Sequence, residues 1–395
     1  MFNGRSLTNI RILNGLSRNE LAEEVGITEQ AIWQFENGYT TPRLDVINRL
    51  KDIFNVKSIY FYKNDLLEEA EFKDNIRSPF IAYRSETINS VKKSQSESMH
   101  VRFIDAFLNK IEGRVKYPEN VFLQLREEII VYLKENKDIP RDDQIYSIAM
   151  YARKKLGLSS SNNENLLYLL EKSGCFIFEK EIGERIDAYS VWSEDDRPYI
   201  ILGNMKKSAV RRNFDLAHEL GHLLMHYKVE FTMQDKDRYK DLEKEANKFA
   251  SEFLLPRKQF INDFSFIERQ SNPDAYLDLK KKWLVSMQAI AVRAMNLELI
   301  TYQQYRYFFI SINKKGYKYK EPLDDVILIN RPGKVKSVLK ILFENQLLSM
   351  WDLTEQLKVD CKFLSELTGI ELNFFNEYLD KSKRFSVANL EVDLG

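Results

Sequence analysis

The stretch DLAHELGHLLMH, residues 215–226, holds three of the four histidines of this 395-residue chain. Apart from Gly221, its residues are good helix formers or amphipathic ones, so it reads as a helix. Residues four apart share a helix face, which sets the His218 and His222 rings side by side. Two neighbouring imidazoles can hold one cation through ring nitrogens at about 2.0–2.1 Å. Glu219 is rotated by roughly 100° from His218, so it flanks such a cation without ligating it. A carboxylate there can take a proton from a water that the cation has made acidic. H-E-x-x-H on a helix therefore points to metal-assisted hydrolysis. The competing reading is a helix whose histidines serve only its C-terminus.

A catalytic zinc site needs a third protein ligand. His226 lies two turns from His218, about 12 Å along a straight helix, too far to share a cation with both other histidines. It reads as a helix cap or a cleft-lining residue. The next helical segment, LEKEANKFASEFLLP (residues 242–256), offers Glu243 and Glu245. Ala246, Ala250, Phe253 and Leu254 mark its apolar stripe, and Glu243 falls on it by helical spacing. Asn247, four residues on, shares that face and can orient a ligand histidine from behind. Glu245 faces a more mixed side. Glu243 is thus the expected ligand, with Glu245 as the alternative.

Around this helix the chain reads as several domains, mainly α with one small β-sheet. Hydrophobic residues make up 44% and charged residues 30%, as in globular proteins of ordinary composition. Two distant cysteines, Cys175 and Cys361, argue against a disulfide framework or a zinc finger and fit a cytoplasmic location. No apolar run approaches the ~20 residues of a membrane span, so no membrane partner is expected. FIFEKEI, DAYSVWS and RPYIILG read as three strands of an antiparallel sheet preceding the histidine helix. YSVWS or YIILG would then accept an extended substrate by β-addition. The expected divisions are residues 1–62 as an all-α module, 63–100 as a polar linker, 101–310 as the domain carrying the histidines with a helical lead-in, and 311–395 as a helical tail. Within the tail, SVLKILFENQLLSMWDLTEQLKVDCKFLSELTGI again has helix-turn-helix spacing.

In residues 1–62, Ser17 and Glu20 form a capping box, Gly26 ends that helix and Thr28 caps the next. Two helices joined by so short a turn make a helix-turn-helix, whose second helix enters the DNA major groove by its N-terminal residues. These are Thr28, Glu29, Gln30, Trp33 and Gln34. Arg11, Arg18 and Arg43 are candidate phosphate contacts. The module carries seven basic and seven acidic residues, and the whole chain has zero net charge. DNA affinity rests largely on phosphate neutralisation. A neutral module therefore leaves two uses open: binding an operator, weakly or as a homodimer, or docking another protein.

RIDAYSVWSEDDRPYIILGNMKKSAVRRNFDLAHELGHLLMH and EKEANKFASEFLLP, taken in order, resemble the ImmA/IrrE metallopeptidases, and residues 6–62 resemble the XRE/Cro/C1 helix-turn-helix family. The resemblance implies a zincin-like fold for the central domain. It implies zinc, with manganese as the alternative, held by His218, His222 and a downstream glutamate, with Glu219 as general base. It further implies cleavage of a protein substrate, a helix-turn-helix repressor, relieving repression in a mobile element or stress response. Two other functions are consistent with the same residues: a regulator whose peptidase-like domain senses metal or peptide, and a toxin–antitoxin component. An intact His218–Glu219–His222 set favours the enzyme, because a sensor has no need of Glu219.

Overall fold

The computed structural model describes residues 1–63, 66–67, 81–83, 91–115, 117, 120–180, 188–193, 195–203, 208–227 and 236–391. The chain divides into two units. The first begins with helices α1 (Gly4–Leu13), α2 (Arg18–Val25), α3 (Glu29–Glu36) and α4 (Leu44–Phe54). The expected caps are formed. Ser17 Oγ accepts from Glu20 N at 3.2 Å while Glu20 Oε2 accepts from Ser17 N at 2.7 Å. Gly26 turns the chain in the left-handed region, φ 74°, which glycine enters without penalty. Thr28 Oγ1 accepts from Ala31 N at 3.2 Å and opens α3. Leu21, Val25, Ile32, Ile47 and Leu50 are all at most 1% exposed and form the small core.

The same unit continues with α5 (Val91–Glu112). Residues 91–100 are thus helical, where the sequence suggested linker. Polar residues mislead here because several of them are buried: Ser96 Oγ donates to the Leu13 carbonyl at 3.0 Å, and the His100 ring lies 3.0 Å from the Leu367 carbonyl. Most of the expected linker before Val91 lies outside the described residues.

The second unit holds a four-stranded sheet of β1 (Ile81–Tyr83), β2 (Phe176–Lys180), β3 (Ala188–Trp192) and β4 (Pro198–Gly203), in the order β1-β3-β4-β2. The sheet is mixed, not antiparallel as expected: β2 runs parallel to β4. β3 and β4 are joined by a short turn and pair antiparallel, so β2 takes the other edge of β4. β1 then pairs antiparallel with β3. Both edges of β3 and of β4 are therefore occupied, which removes them as sites of β-addition. All six residues of β4 are buried, as a central strand covered on both faces requires.

Helices α6 (Val121–Glu135), α7 (Arg141–Lys155) and α8 (Leu166–Lys172) precede the sheet proper. α9 (Ala209–Met225), α10 (Lys236–Leu254), α11 (Arg257–Phe264), α12 (Leu277–Trp283), α13 (Met287–Asn296) and α14 (Tyr302–Lys314) follow it. α9 is buried on nearly every side, with Leu216, Ala217, Leu220 and Leu224 at most 1% exposed. β3 ties to its backbone from one side, Ser190 Oγ donating to the Glu219 carbonyl at 3.2 Å and Trp192 Nε1 to the Leu223 carbonyl at 2.9 Å. α10 packs along it from another.

α15 (Lys334–Glu344), α16 (Met350–Leu357), α17 (Cys361–Thr368) and α18 (Leu372–Glu391) return the chain to the first unit. Val56 and Val359 form an antiparallel bridge, with Lys57 N donating to the Lys358 carbonyl at 2.8 Å and Asp360 N to the Asn55 carbonyl at 3.0 Å. Residues 335–395 thus belong with the N-terminal helices, and residues 117–334 form the second unit with β1, so the expected limits at 100 and 310 shift. Among the described residues no helix is long and apolar enough to cross a membrane.

Candidate metal centre

α9 and α10 lie against one another because small residues permit it. A Cβ on Gly221 would meet the Phe249 ring at 3.0 Å, so glycine gives that ring its room in the crossing. Ala246 and Ala250 are fully buried on the facing stripe. This approach carries Glu243 of α10 to the histidines of α9. His218 Nε2 and His222 Nε2 are 3.1 Å apart. Glu243 Oε2 is 3.4 Å from the first and Oε1 is 3.2 Å from the second. Ligand atoms around a tetrahedral zinc bonded at 2.0–2.1 Å stand about 3.3 Å apart. The three side chains therefore fit a zinc-sized cation, and they are the metal-binding group found among the described residues.

The atoms behind these ligands agree. Asn247 Oδ1 lies 3.1 Å from His218 Nδ1. An amide oxygen only accepts, so His218 Nδ1 donates to it, and the ring turns Nε2 toward Glu243. His222 Nδ1 lies 2.9 Å from His226 Nδ1, and His226 Nε2 lies 3.0 Å from Glu245 Oε2. Arg141 of α7 holds Glu245 by two hydrogen bonds, Nε to Oε1 at 2.9 Å and Nη2 to Oε2 at 2.6 Å. Glu245, the alternative ligand, thus stands with Arg141 and His226, away from the three converging atoms. His226 is the C-cap of α9, its N–H donating to the His222 carbonyl at 3.0 Å, and its buried ring, 6% exposed, contacts His222 from behind.

Glu219 is 1% exposed, and neither of its carboxylate oxygens has a hydrogen-bond partner among the described residues. Burial pushes its carboxyl above the ordinary range, while the charges of His218 and His222 oppose that. A buried carboxylate without partners costs several kcal/mol, a cost that structures accept at functional positions. Burial also acts to raise Glu243, but the adjoining imidazoles of His218 and His222 outweigh it and hold the carboxyl well below the usual range. Burial likewise acts to raise Glu245, and His226 and Arg141 bring it down to about 2. His226 is lowered to about 4, chiefly by burial.

A cleft of about 870 Å³ runs beside this centre, between the first half of α9, α10 and the length of α13. Asn247 lines it together with Arg211, Asp215, Lys248 and Gln288. The cleft thus reaches the residue that holds His218.

The residues expected to meet DNA are placed unequally. Thr28, Glu29, Gln30 and Arg43 are exposed, and Gln34 is half-buried. Trp33, 40% exposed, stacks on Tyr39 with ring centroids 5.2 Å apart. Arg11 and Arg18 both turn their Nε to the buried Glu36 at 2.5 Å. Arg11, 8% exposed, is a core ion-pair partner and not a phosphate contact. Arg18 shares that carboxylate while its side chain stays 40% exposed. Sequence reasoning did not find Arg141, Ser190 or Trp192, which meet the site from distant elements with no spacing signal. Nor did it find Tyr39, whose role depends on the turn after α3.

Residues 170–295 match the family model described as the IrrE N-terminal-like domain, a peptidase family, and residues 7–61 match a helix-turn-helix model. No curated protein matches the chain. The chain therefore joins an XRE-type helix-turn-helix domain to an IrrE/ImmA-like peptidase domain.

Proposed function

We propose that this chain is a DNA-binding, zinc-dependent endopeptidase whose substrate is a helix-turn-helix repressor, with manganese as the alternative metal. One observation carries the catalytic part: three candidate ligand atoms 3.1–3.4 Å apart, beside a buried glutamate whose carboxylate has no hydrogen-bond partner among the described residues. His218, His222 and Glu243 are the residues that would hold the ion. When bound, the ion supplies Lewis-acid activation of a water and of the scissile carbonyl. Glu219 takes the water's proton through its carboxylate and returns it to the leaving amine. A buried carboxylate with a raised pKa is a stronger base than a surface one, which suits the first transfer. Asn247 and His226 keep the two imidazoles turned toward the ion. The assignment of a repressor as substrate rests on the resemblance to the ImmA/IrrE peptidases, and the attached helix-turn-helix domain supports it by offering a route to the same operator or partner.

The experiment compares wild type with Glu219→Gln. Both are expected to bind one zinc per chain, and only the wild type to cleave helix-turn-helix repressors encoded beside it. Loss of about 10²–10⁴ in rate is the range for removing a general base. Zinc bound by neither protein overturns the site; zinc bound by both with no cleavage favours a metal- or peptide-sensing regulator.

A second reading of the N-terminal module has its own support. Glu36 draws in two of the arginines that would meet phosphates, and the exposed face carries the Trp33–Tyr39 stack and Leu44, 73% exposed. Such a face also fits docking of a protein, the helix-turn-helix domain of the substrate among them.

A further inference from the structure

We propose that the cleft beside the metal centre binds an acidic peptide segment of the protein substrate, with the segment's carboxylates at a basic rim and its apolar side chains on an aliphatic floor. The inference deepens the peptidase reading and rests on it for taking the bound chain as substrate. Three helices each give the cleft one face. α9 contributes Arg211, Phe214 and Asp215, α10 contributes Lys244, Lys248 and Ser251, and α13 contributes Gln288, Val292 and Asn296, all at helical spacing. Six of the lining residues are basic and two are acidic, in a chain that holds 59 of each. The two acids are the least accessible. Glu252 is 1% exposed and receives two hydrogen bonds from the buried Arg293, at 2.8 and 2.5 Å, with Arg257 a further 3.6 Å away. Asp215 is 2% exposed. By contrast Lys244, Arg257 and Lys318 are exposed, and Arg211 and Lys248 half-buried. Arg211 and Lys318 meet no carboxylate among the described residues; Arg211 Nη2 donates to the Lys318 carbonyl at 2.8 Å. Lys244 and Lys248 pair with Asp241 and Asp142, both on the surface. Exposed pairs of that kind are weak, and a ligand carboxylate can replace them.

A cleft lined by one sign of charge over low-dielectric walls concentrates ligands of the other sign. The floor then decides between anions. Among the described residues Phe214 is the one aromatic side chain of the lining, and the other apolar ones, Leu254, Val285 and Val292 among them, are aliphatic. A nucleic-acid strand is held by stacking its bases on aromatic rings, which this floor does not supply. An acidic peptide matches both parts: lysine and arginine hold its carboxylates, and its aliphatic side chains leave water against the floor. At about 870 Å³ the cleft has room for a few such side chains. His218, Glu219, His222 and Glu243 do not line it, and Asn247, which holds His218, is where it meets the centre. A segment seated there anchors the substrate beside the reacting atoms without covering them.

The test reads binding without cleavage, in the full chain carrying Glu219→Gln. The probe is a fluorescein-labelled peptide in which glutamates are interspersed with leucine and serine, and its partner has every glutamate replaced by glutamine. Affinity is measured by fluorescence anisotropy at several salt concentrations. One variant adds Lys244→Gln, Lys248→Gln and Lys318→Gln, which remove charge from the rim. A control adds Lys154→Gln, Lys172→Gln and Lys281→Gln, exposed lysines of the same unit that do not line the cleft. Zinc content and the urea midpoint of each protein report whether its fold is kept. The glutamate peptide is expected to bind, more weakly as salt rises, and to lose about 10-fold in affinity in the rim variant and little in the control. The glutamine peptide should bind weakly to all three proteins alike, because the lost charges are the partners of the lost lysines. Equal affinity for the two peptides, equal losses in rim variant and control, or no binding up to about 1 mM peptide overturns the proposal. So does displacement of the peptide by single-stranded oligothymidylate at lower concentration than by unlabelled peptide, which makes the cleft a nucleic-acid site. Absence of zinc or of repressor cleavage sinks the peptidase reading and leaves the peptide affinities standing, so the two failures are told apart.

Discussion

Glu36 shows how one buried side chain changes the reading of residues around it. Its side chain is 2% exposed, and both carboxylate oxygens are taken, one by Arg11 and one by Arg18. A buried carboxylate keeps its charge only with such partners, so these arginines hold α1 and α2 to the end of α3 before they can serve a phosphate. Arg43 carries no such duty and is exposed at the start of α4. Arg43→Ala is therefore expected to lower affinity for operator DNA across sequences and to reduce the slope of log affinity against log salt by about one. Arg11→Ala is expected to act instead on folding, lowering the midpoint of urea unfolding. Equal salt slopes for wild type and Arg43→Ala would remove Arg43 from the interface. At this scale the convergence of three side chains was legible because His218 and His222 are tied by helical spacing, and Glu243 by the apolar stripe it shares with Ala246 and Ala250. Arg141 was not, because it reaches Glu245 across 104 positions of sequence, and a lone arginine at the head of a helix announces no partner.

Between elements, the contact that matters most is that of α9 with α10, and Gly221 is its narrowest point. Two effects oppose each other in Gly221→Ala. Alanine favours a helix interior over glycine by about 1 kcal/mol. Its methyl would stand 3.0 Å from Phe249 Cδ1, 3.2 Å from Cγ and 3.3 Å from Cβ, so the buried ring would have to give by a few tenths of an ångström. Overpacking of that kind costs about 1–3 kcal/mol, so packing wins and the variant should be less stable. The shift also separates Glu243 from the two histidines. We expect Gly221→Ala to lower the unfolding midpoint and to weaken zinc binding together, and Gly221→Val to do both more strongly. A more stable Gly221→Ala protein with unchanged zinc affinity would show that the two helices are not held at contact distance there. The helices themselves were readable from periodicity and caps, Ser17–Glu20 and Thr28 above all. The sheet was readable only in part. Short apolar runs either side of a polar turn locate β3 and β4, but nothing in FIFEK indicates which edge it takes, and the pairing of Ile81–Tyr83 on β3 joins segments more than a hundred residues apart.

For the molecule as a whole, the division into units cuts across the order of the chain. A reading from one end to the other naturally makes residues 335–395 a tail. They instead pack with the N-terminal helices, through the Val56–Val359 bridge, the Lys57–Glu355 ion pair at 2.5 Å and the contact of His100 with the Leu367 carbonyl. The α16–α17 pair has the spacing of a helix-turn-helix; Cys361, Phe363, Leu364 and Leu367 of α17 are buried in the core of the first unit, while Lys362 and Glu366 stay exposed. This has a thermodynamic consequence. Removing residues 335–395 strips the first unit of Val338, Leu339, Leu342, Leu353, Leu364 and Phe375, each at most 7% exposed. At about 1.5–3 kcal/mol per large apolar side chain, the loss is of the same order as the ~5–15 kcal/mol that holds a domain folded. Calorimetry of the chain ending at Lys334 should therefore show the transition of the first unit lowered strongly or lost. Its zinc content should stay at the full-length value, because His218, His222, Glu243 and their partners all lie in residues 117–334. A truncated chain whose helix-turn-helix unit melts at the full-length temperature would mean that the C-terminal helices contribute nothing to that core. A truncated chain that loses zinc would mean instead that the metal centre depends on residues outside its own unit.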